Sequence, residues 1–204
     1  MRKLWTLLLS VFIITTFTAC GGTTGASADK KASNSTPASS ESKQTASNTS
    51  KTLVVYFSCS GNTKKLAQTA ATALNADIYE IVPEKPYTNN DLNYNDESTR
   101  ATVEQKDDKA RPKLKDKNAN IAAYDKIVIA YPIWWGQAPR IVDTFLESYD
   151  FSGKTIAPIC TSGGSDVGSS ADYLKSITRG SANWKLGKKF SPSASAQELK
   201  SLFD

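Results

Sequence analysis

The sequence predicts a three-layer α/β domain built on a parallel sheet. Two observations carry that expectation: short β-rich apolar runs recur from residue 53 onward, and segments with apolar residues at helical spacing separate them. A third observation sets its limits, because nothing before residue 51 has the composition of a packed core apart from one apolar run near the start. The 204 residues, 39% hydrophobic and 22% charged, suit one soluble domain with a surplus at the N-terminus rather than a disordered chain or a multi-span membrane protein. No internal repeat is visible.

The surplus reads as an address and a leash. Arg2 and Lys3 precede an apolar run from Leu4 to Phe17, which ends in Phe17-Thr18-Ala19-Cys20. A short positive segment, an apolar core and small residues before a cut site describe a secretory signal over 1–19. The run is shorter than the ~20 residues a membrane-crossing helix needs. Its end at a cysteine resembles a bacterial lipoprotein signal, with Cys20 as the lipid-modified first residue. The tether, 20–51, holds 13 Ser or Thr between residues 21 and 50 and no aromatic or large aliphatic side chain there. Such a segment cannot bury enough apolar area to offset its ordering entropy. Its expected reach is roughly 30 Å. The protein is therefore expected to be exported and held at the extracytoplasmic face of a membrane.

The domain, 52–204, opens on Leu53-Val54-Val55-Tyr56-Phe57, a strand apolar on both faces as parallel sheets require. Leu66, Ala67, Ala70, Ala71 and Leu74 then form one stripe of a helix over about 62–75. Asp77 to Val82 is a second strand and Ile127 to Tyr131 a third. Pro139 suits the first turn of a helix carrying Ile141, Val142, Phe145, Leu146 and Tyr149 on one face. Thr155 to Cys160 is a fourth strand, followed by a helix near 168–178 and a weaker strand around 184–190. Ser195 and Glu198 stand three apart, as in a capping box, ahead of Leu199, Leu202 and Phe203. Residues 83–125 fit least well. They are polar and too long for a simple crossover, so they are expected to pack over the sheet as an elaborated connection or lid, with a helical turn or two at Arg100 to Lys106.

Chemistry-bearing residues gather in three loops after strands. In an open α/β sheet ligands bind beyond the carboxyl ends of the strands, where the strand order reverses. The first loop, Ser58-Cys59-Ser60-Gly61-Asn62-Thr63, offers hydroxyls, an amide and the N-terminus of a helix, a phosphate-binding combination without a Walker pattern. The second, Tyr131-Pro132-Ile133-Trp134-Trp135-Gly136-Gln137-Ala138-Pro139, places two indoles in a surface loop. A flat aromatic ligand would cover one of them, and the other is expected to tuck beneath the loop. In the third, Thr161-Ser162-Gly163-Gly164-Ser165, glycines allow close backbone approach and hydroxyls can bond a polar ring edge. Together the loops point to a phosphate-bearing planar cofactor.

Other classes are excluded by composition. Histidine is absent, which removes Ser-His-Asp and Cys-His hydrolysis and His-liganded metal sites. Cysteines 20, 59 and 160 form neither a CxxC pair nor a zinc cluster. The formal charge of +5 is largely N-terminal, since residues 51–204 hold 20 basic and 18 acidic side chains without a basic stripe. Nucleic acid is therefore not expected as a partner.

Ser58-x-Ser60-Gly61-Asn62-Thr63 after an apolar strand resembles the phosphate loop of flavodoxins. Tyr131-Pro-Ile-Trp-Trp-Gly and Ile159-Cys160-Thr161-Ser162-Gly163-Gly164 resemble the two ring-holding loops of a bacterial flavodoxin-like family. The resemblance covers about 52–204. It implies a five-stranded parallel sheet in the order 2-1-3-4-5 and one non-covalent FMN. Ser58, Ser60, Asn62 and Thr63, with the N–H groups of the loop from Cys59 to Gly61, would take the phosphate. Trp134 or Trp135, flanked by Pro132, Ile133 and Gly136, would stack on the ring, and Thr161, Ser162, Gly163 and Gly164 would line its pyrimidine edge. In that strand order the first and fourth strands are separated by the third, so Cys59 and Cys160 would start about 10 Å apart, too far for a disulfide. The near-neutral body departs from strongly acidic electron-carrier flavodoxins. Fewer surrounding carboxylates should disfavour anionic reduced FMN less, which implies a higher low-potential couple. The implied function is a membrane-tethered FMN electron-transfer protein working with a redox partner protein or a membrane quinone. The alternatives are an FMN-dependent quinone-type reductase with 83–125 as its lid, or a surface binding lipoprotein without cofactor.

Overall fold

The computed structural model describes residues 50–204, so the signal segment, Cys20 and nearly all of the tether lie outside the described residues. The strands are β1 (Thr52–Tyr56), β2 (Asp77–Glu80), β3 (Lys126–Pro132), β4 (Thr155–Thr161), β5 (Asn183–Trp184) and β6 (Lys188–Lys189). The helices are α1 (Asn62–Leu74), α2 (Arg100–Lys106), α3 (Arg140–Ser148), α4 (Ser170–Ile177) and α5 (Ala196–Lys200). The sheet runs β2-β1-β3-β4-β5 with β6 also on β4, and all its pairs are parallel. The order reverses between β1 and β3, so the carboxyl ends of these strands open onto a crevice.

Alternate side chains along the central strands feed two cores. Leu53, Val55, Phe57, Ile127, Ile129, Tyr131, Ile156 and Cys160 face the layer formed by α3, α4 and the 83–125 excursion. Val54, Tyr56, Val128, Ala130, Ala157 and Ile159 face α1 and α5, meeting Leu66, Ala67, Ala70, Leu199 and Leu202. Burial on both sides explains the lack of polar alternation in β1 and β3. The edge strand β2 is less covered, and its Ile78 is exposed. Helix α1 ends where Asn75 turns left-handed and the Ala76 N–H closes on the Ala71 carbonyl at 2.9 Å. At α5 the anticipated capping box forms: Ser195 and Glu198 each accept from the other's backbone N–H.

Two features depart from the simple plan. The fifth strand is two short pieces. β5 pairs Asn183 and Trp184 with Thr155 and Ile156, while β6 pairs Lys188 and Lys189 with Ile159 and Cys160, so one extra residue intervenes on the edge. The groups facing this edge belong to Lys154, just ahead of β4, and to Ile156 and Cys160 within it, whose carbonyls accept from Asn183, Lys185 and Phe190. Pro158 lies in the same register and has no N–H to offer, so the ladder breaks there. Helix α3 begins one residue later than expected, with Pro139 as its extended N-cap.

The 83–125 segment is an ordered excursion. An antiparallel bridge joins Pro83 to Leu114, flanked by Glu84 N–H to Lys113 O and Lys115 N–H to Val82 O, both 2.8 Å. Its one α-helix, α2, buries Ala101, Thr102 and Gln105. Its many polar residues hold local turns, as when Asp91 accepts from the Thr88 N–H and Asp96 from the Ser98 N–H.

Candidate functional site

The three loops converge on one cavity of about 360 Å³, lined by Ser60, Asn62, Tyr94, Pro132, Ile133, Trp134, Thr161, Ser162, Gly163 and Pro192. Its size falls within the range of small-molecule pockets. The sequence supplies the first loop with its geometry. Gly61 turns the chain at φ 86°, a left-handed conformation natural to glycine, and stands as the N-cap of α1 without a side-chain cap. The first-turn N–H groups of α1 thus have neither intrahelical partners nor a capping oxygen. Ser58 Oγ accepts from the Gly61 N–H at 3.1 Å, which tightens the turn while leaving the serine proton free to donate.

The second loop is a two-residue turn. Trp134 and Gln137 exchange both backbone hydrogen bonds, at 2.8 and 3.0 Å, around Trp135 at φ 47° and Gly136 at φ 79°. Positive φ at both central positions is the type I′ pattern. It separates the two indoles: Trp134 is 4% exposed and walls the cavity, whereas Trp135 is 43% exposed. One indole is tucked in, but the expected division of roles is not seen: the tucked Trp134 is itself the one that lines the cavity, and the exposed Trp135 lies outside the lining. A bulky residue held left-handed costs roughly 1–2 kcal/mol. Trp135 recovers part of that by packing on Tyr94, with ring centroids 4.9 Å apart. Beneath them Phe57, Tyr87 and Trp134 meet edge to face, at centroid separations of 5.3 to 5.9 Å.

The third loop is fastened to both others. Thr63 Oγ1 and Thr161 Oγ1 are 2.8 Å apart, with Thr63 1% and Thr161 5% exposed. The Ile133 N–H donates to the Thr161 carbonyl at 2.9 Å. Ser162 Oγ accepts from the Gly164 N–H, and Gly163 and Gly164 have open space where a side chain would stand. The Thr63 hydroxyl is therefore engaged within the protein. Ser58, Cys59, Gly61, Thr63, Trp135, Gly136 and Gly164 belong to the loops without lining the cavity. Both cysteines in the described residues are free thiols, Cys59 exposed and Cys160 buried. Desolvation pushes the Cys59 thiol up to about 12, and the nearby Arg100 charge only partly opposes this. Its helix-terminal position therefore does not make it a ready thiolate. Burial likewise pushes Cys160 up to about 12.

Sequence reasoning missed Tyr94 and Pro192, which complete the cavity from the excursion and from the segment before α5. No motif marks either residue. It also missed a polar cluster behind the second loop. Gln105 Nε2 donates to the Ala138 carbonyl at 3.0 Å. Buried Arg140 reaches the Gln105 carbonyl, Tyr173 and Asp143, and also pairs with Asp108. Burial raises the Asp143 carboxyl to about 6 despite the attraction of Arg140 and Arg111. The cluster pins α2 to the foot of the indole loop.

The flavodoxin family model matches residues 51–204, the whole of this domain. The chain belongs to the flavodoxin family. Among solved structures, this flavodoxin is 42% identical to a protein assigned as a flavoprotein from Bacteroides eggerthii, with a TM-score of 0.70, covering 74% of this chain and 94% of that one. A similar assignment from Bacteroides uniformis is 41% identical, with a TM-score of 0.65 over 74% and 96% of the two chains. A Lactobacillus acidophilus flavoprotein solved in complex with FMN shares the fold at 22% identity and a TM-score of 0.55, covering 71% of this chain and 95% of that one. No curated protein matches the chain. The residues present fit FMN, the group held in that Lactobacillus acidophilus structure. The uncapped α1 N-terminus with Ser58, Ser60 and Asn62 suits a phosphate. The Trp134 face suits a planar ring, and the open Gly163–Gly164 backbone suits close approach to a ring edge.

Proposed function

We propose that this flavodoxin is a membrane-tethered electron carrier holding one FMN non-covalently in the cavity between its three loops. When bound, FMN supplies the one- and two-electron chemistry. The chain's own residues bind, orient and shield it. Ser58, Ser60, Asn62 and the first-turn N–H groups of α1 would hold the phosphate, Trp134 would stack on the ring, and Thr161 to Gly164 would border it. The observation that carries this reading is the convergence of the three loops, already hydrogen-bonded to one another, on a cavity with an anion-seeking floor and an aromatic wall. The lipoprotein-like ending at Cys20 supports anchoring at the extracytoplasmic face, with a partner protein or membrane quinone exchanging electrons. No helix among the described residues is long and apolar enough to cross a membrane.

The test is the visible spectrum of the purified chain, with and without residues 1–50. Oxidised-flavin bands whose chromophore leaves as FMN on denaturation are expected. A colourless protein that takes up no added FMN overturns the carrier and favours a cofactor-free surface lipoprotein. For the tether, Cys20→Ser should move the protein from the membrane fraction to the soluble one; unchanged fractionation refutes lipid anchoring. One observation favours a second reading, a quinone-type reductase: the excursion contributes Tyr94 to the cavity wall. Fast, saturable reoxidation by quinones after anaerobic photoreduction would select it over the carrier.

A further inference from the structure

We propose that Lys189 is a positioning residue whose ammonium, fixed on the rim of the flavin cavity, raises the two-electron potential of the bound cofactor. The proposal rests on the FMN reading above and adds to it the charge that tunes the site. The residues lining the cavity carry no charged side chain, so the field inside it comes from charges just beyond the wall. On the third-loop side the cation placed there is Lys189. Its Nζ donates to the Gly164 carbonyl at 3.1 Å, directly after the lining residues Ser162 and Gly163.

Lys189 is held at both ends. Its backbone stands opposite Cys160 in the β4–β6 register, and the next residue, Phe190, donates its N–H to the Cys160 carbonyl at 2.9 Å. Two residues earlier, Gly187 lets the edge strand press on α4 and its entry: a Cβ there would stand 2.8 Å from Val167 Cγ2 and 3.0 Å from Ala171 Cβ. The lysine's charge reaches the sheet end, where it lowers the thiol pKa of Cys160 against the opposing effects of burial and Asp166. Asp166 is the competing anion, and its Oδ1 is turned onto the Val167 N–H at 2.7 Å. Lys188, the neighbouring cation, points to the opposite face of the sheet because side chains alternate along a strand.

Uptake of two electrons and one proton, supplied by an external reductant, takes the neutral ring to a monoanion. A fixed cation nearby stabilises the charged product over the neutral reactant. The phosphate has the same charge in both states, so its attraction to Lys189 cancels from the potential, which reports the charge on the ring. A purely structural role would weaken the affinity for both states alike and leave the potential unmoved.

The experiment is a dye-equilibrated reductive titration of the full chain loaded with FMN at low ionic strength, alongside the dissociation constant for oxidised FMN. Lys189→Gln should weaken the preference for reduced over oxidised FMN about threefold. Lys189→Glu should weaken it about tenfold, a midpoint lower by about 30 mV for a two-electron couple. Lys189→Arg should keep the wild-type midpoint, Lys188→Gln should shift it by less than half as much as Lys189→Gln, and added salt should shrink every shift. A Lys189→Glu midpoint equal to wild type, or a Lys188→Gln shift as large as that of Lys189→Gln, overturns the proposal. Should Lys189→Glu disturb the loop and lose oxidised FMN, Lys189→Gln and Lys189→Arg decide, because both keep a donor for the Gly164 carbonyl; equal midpoints in these two also overturn it. A wild-type chain that takes up no FMN overturns the functional reading, whereas a loaded chain with charge-blind midpoints overturns this inference alone.

Discussion

Replacing Thr63 by valine would remove one hydroxyl from a buried pair and leave the Thr161 hydroxyl, 2.8 Å away and 5% exposed, without its partner. Valine matches threonine in shape, so little cavity is created and the cost falls on the stranded hydroxyl. Leaving a buried polar group unsatisfied costs about 1–3 kcal/mol, and the same argument applies to Thr161→Val. Removing both hydroxyls should be nearly neutral, because two apolar groups of the same shape then face each other. The double variant should therefore sit above the sum of the singles by roughly 2–6 kcal/mol, well beyond the ~0.5 kcal/mol within which independent sites add. In a domain of this size each kcal/mol moves the melting temperature by about 2–4 °C, so the cycle is readable by heat as well as by urea. Because the Thr63 hydroxyl is already engaged, phosphate binding should fall to N–H groups and serines, and the double variant should keep FMN affinity within about threefold. Additive losses in the cycle would refute the claim that this bond ties the first loop to the third.

Further predictions follow from the same contacts. Asp143 titrates at about 6 against an ordinary 3.8, so the folded chain holds that proton more tightly than the unfolded one. Stability relative to Asp143→Asn should therefore be greatest below about pH 4 and fall as pH rises toward 6, at up to about 1.4 kcal/mol per pH unit; a pH-independent difference in urea midpoints would refute this. With its thiol raised to about 12, exposed Cys59 should react with iodoacetamide at pH 8 at least about tenfold more slowly than a free thiol, because the loss of thiolate outweighs its greater nucleophilicity, and labelling at the ordinary rate would show that desolvation is not felt there. Gly187→Ala should cost about 1–3 kcal/mol through contacts at 2.8 and 3.0 Å, and an unchanged denaturation midpoint would mean that the edge strand yields freely.

The fold was legible where local chemistry and tertiary burial agree. Leu53 to Phe57 and Ile127 to Tyr131 are apolar at every position because both sheet faces are covered, and Ser195 with Glu198 writes a cap that forms as read. The edge strand was less legible because its form depends on a distant residue: Pro158 in β4 denies 184–190 a continuous partner. The excursion was legible as an anomaly, and even Arg100 to Lys106 as a helix, but its contribution of Tyr94 depends on where the polar turns of residues 83–125 come to rest. The roles of the two tryptophans were open for a related reason. Only the paired positive φ values of Trp135 and Gly136 decide which indole goes in.

What the sequence could not convey is that the loops bind one another. Thr63 to Thr161, Ile133 to Thr161 and Lys189 to Gly164 join residues far apart in the chain, and each joins one wall of the cavity to another element. Together with the Gln105 contact at Ala138, they fix the cavity through the protein's own bonds. A cavity organised this way does not have to spend cofactor-binding energy on ordering its walls. The strained turn at Trp135 fits the same logic. A left-handed tryptophan persists only where its surroundings determine the conformation, and here the surroundings are the reciprocal bonds of Trp134 with Gln137 and the ring of Tyr94. Tyr94 is thus the one element of the site that belongs to the excursion and rests on the exposed indole. If any part of the cavity wall moves to admit a partner or a small acceptor, the geometry puts it at that aromatic contact rather than in the three loops, which are hydrogen-bonded to one another or to the edge strand.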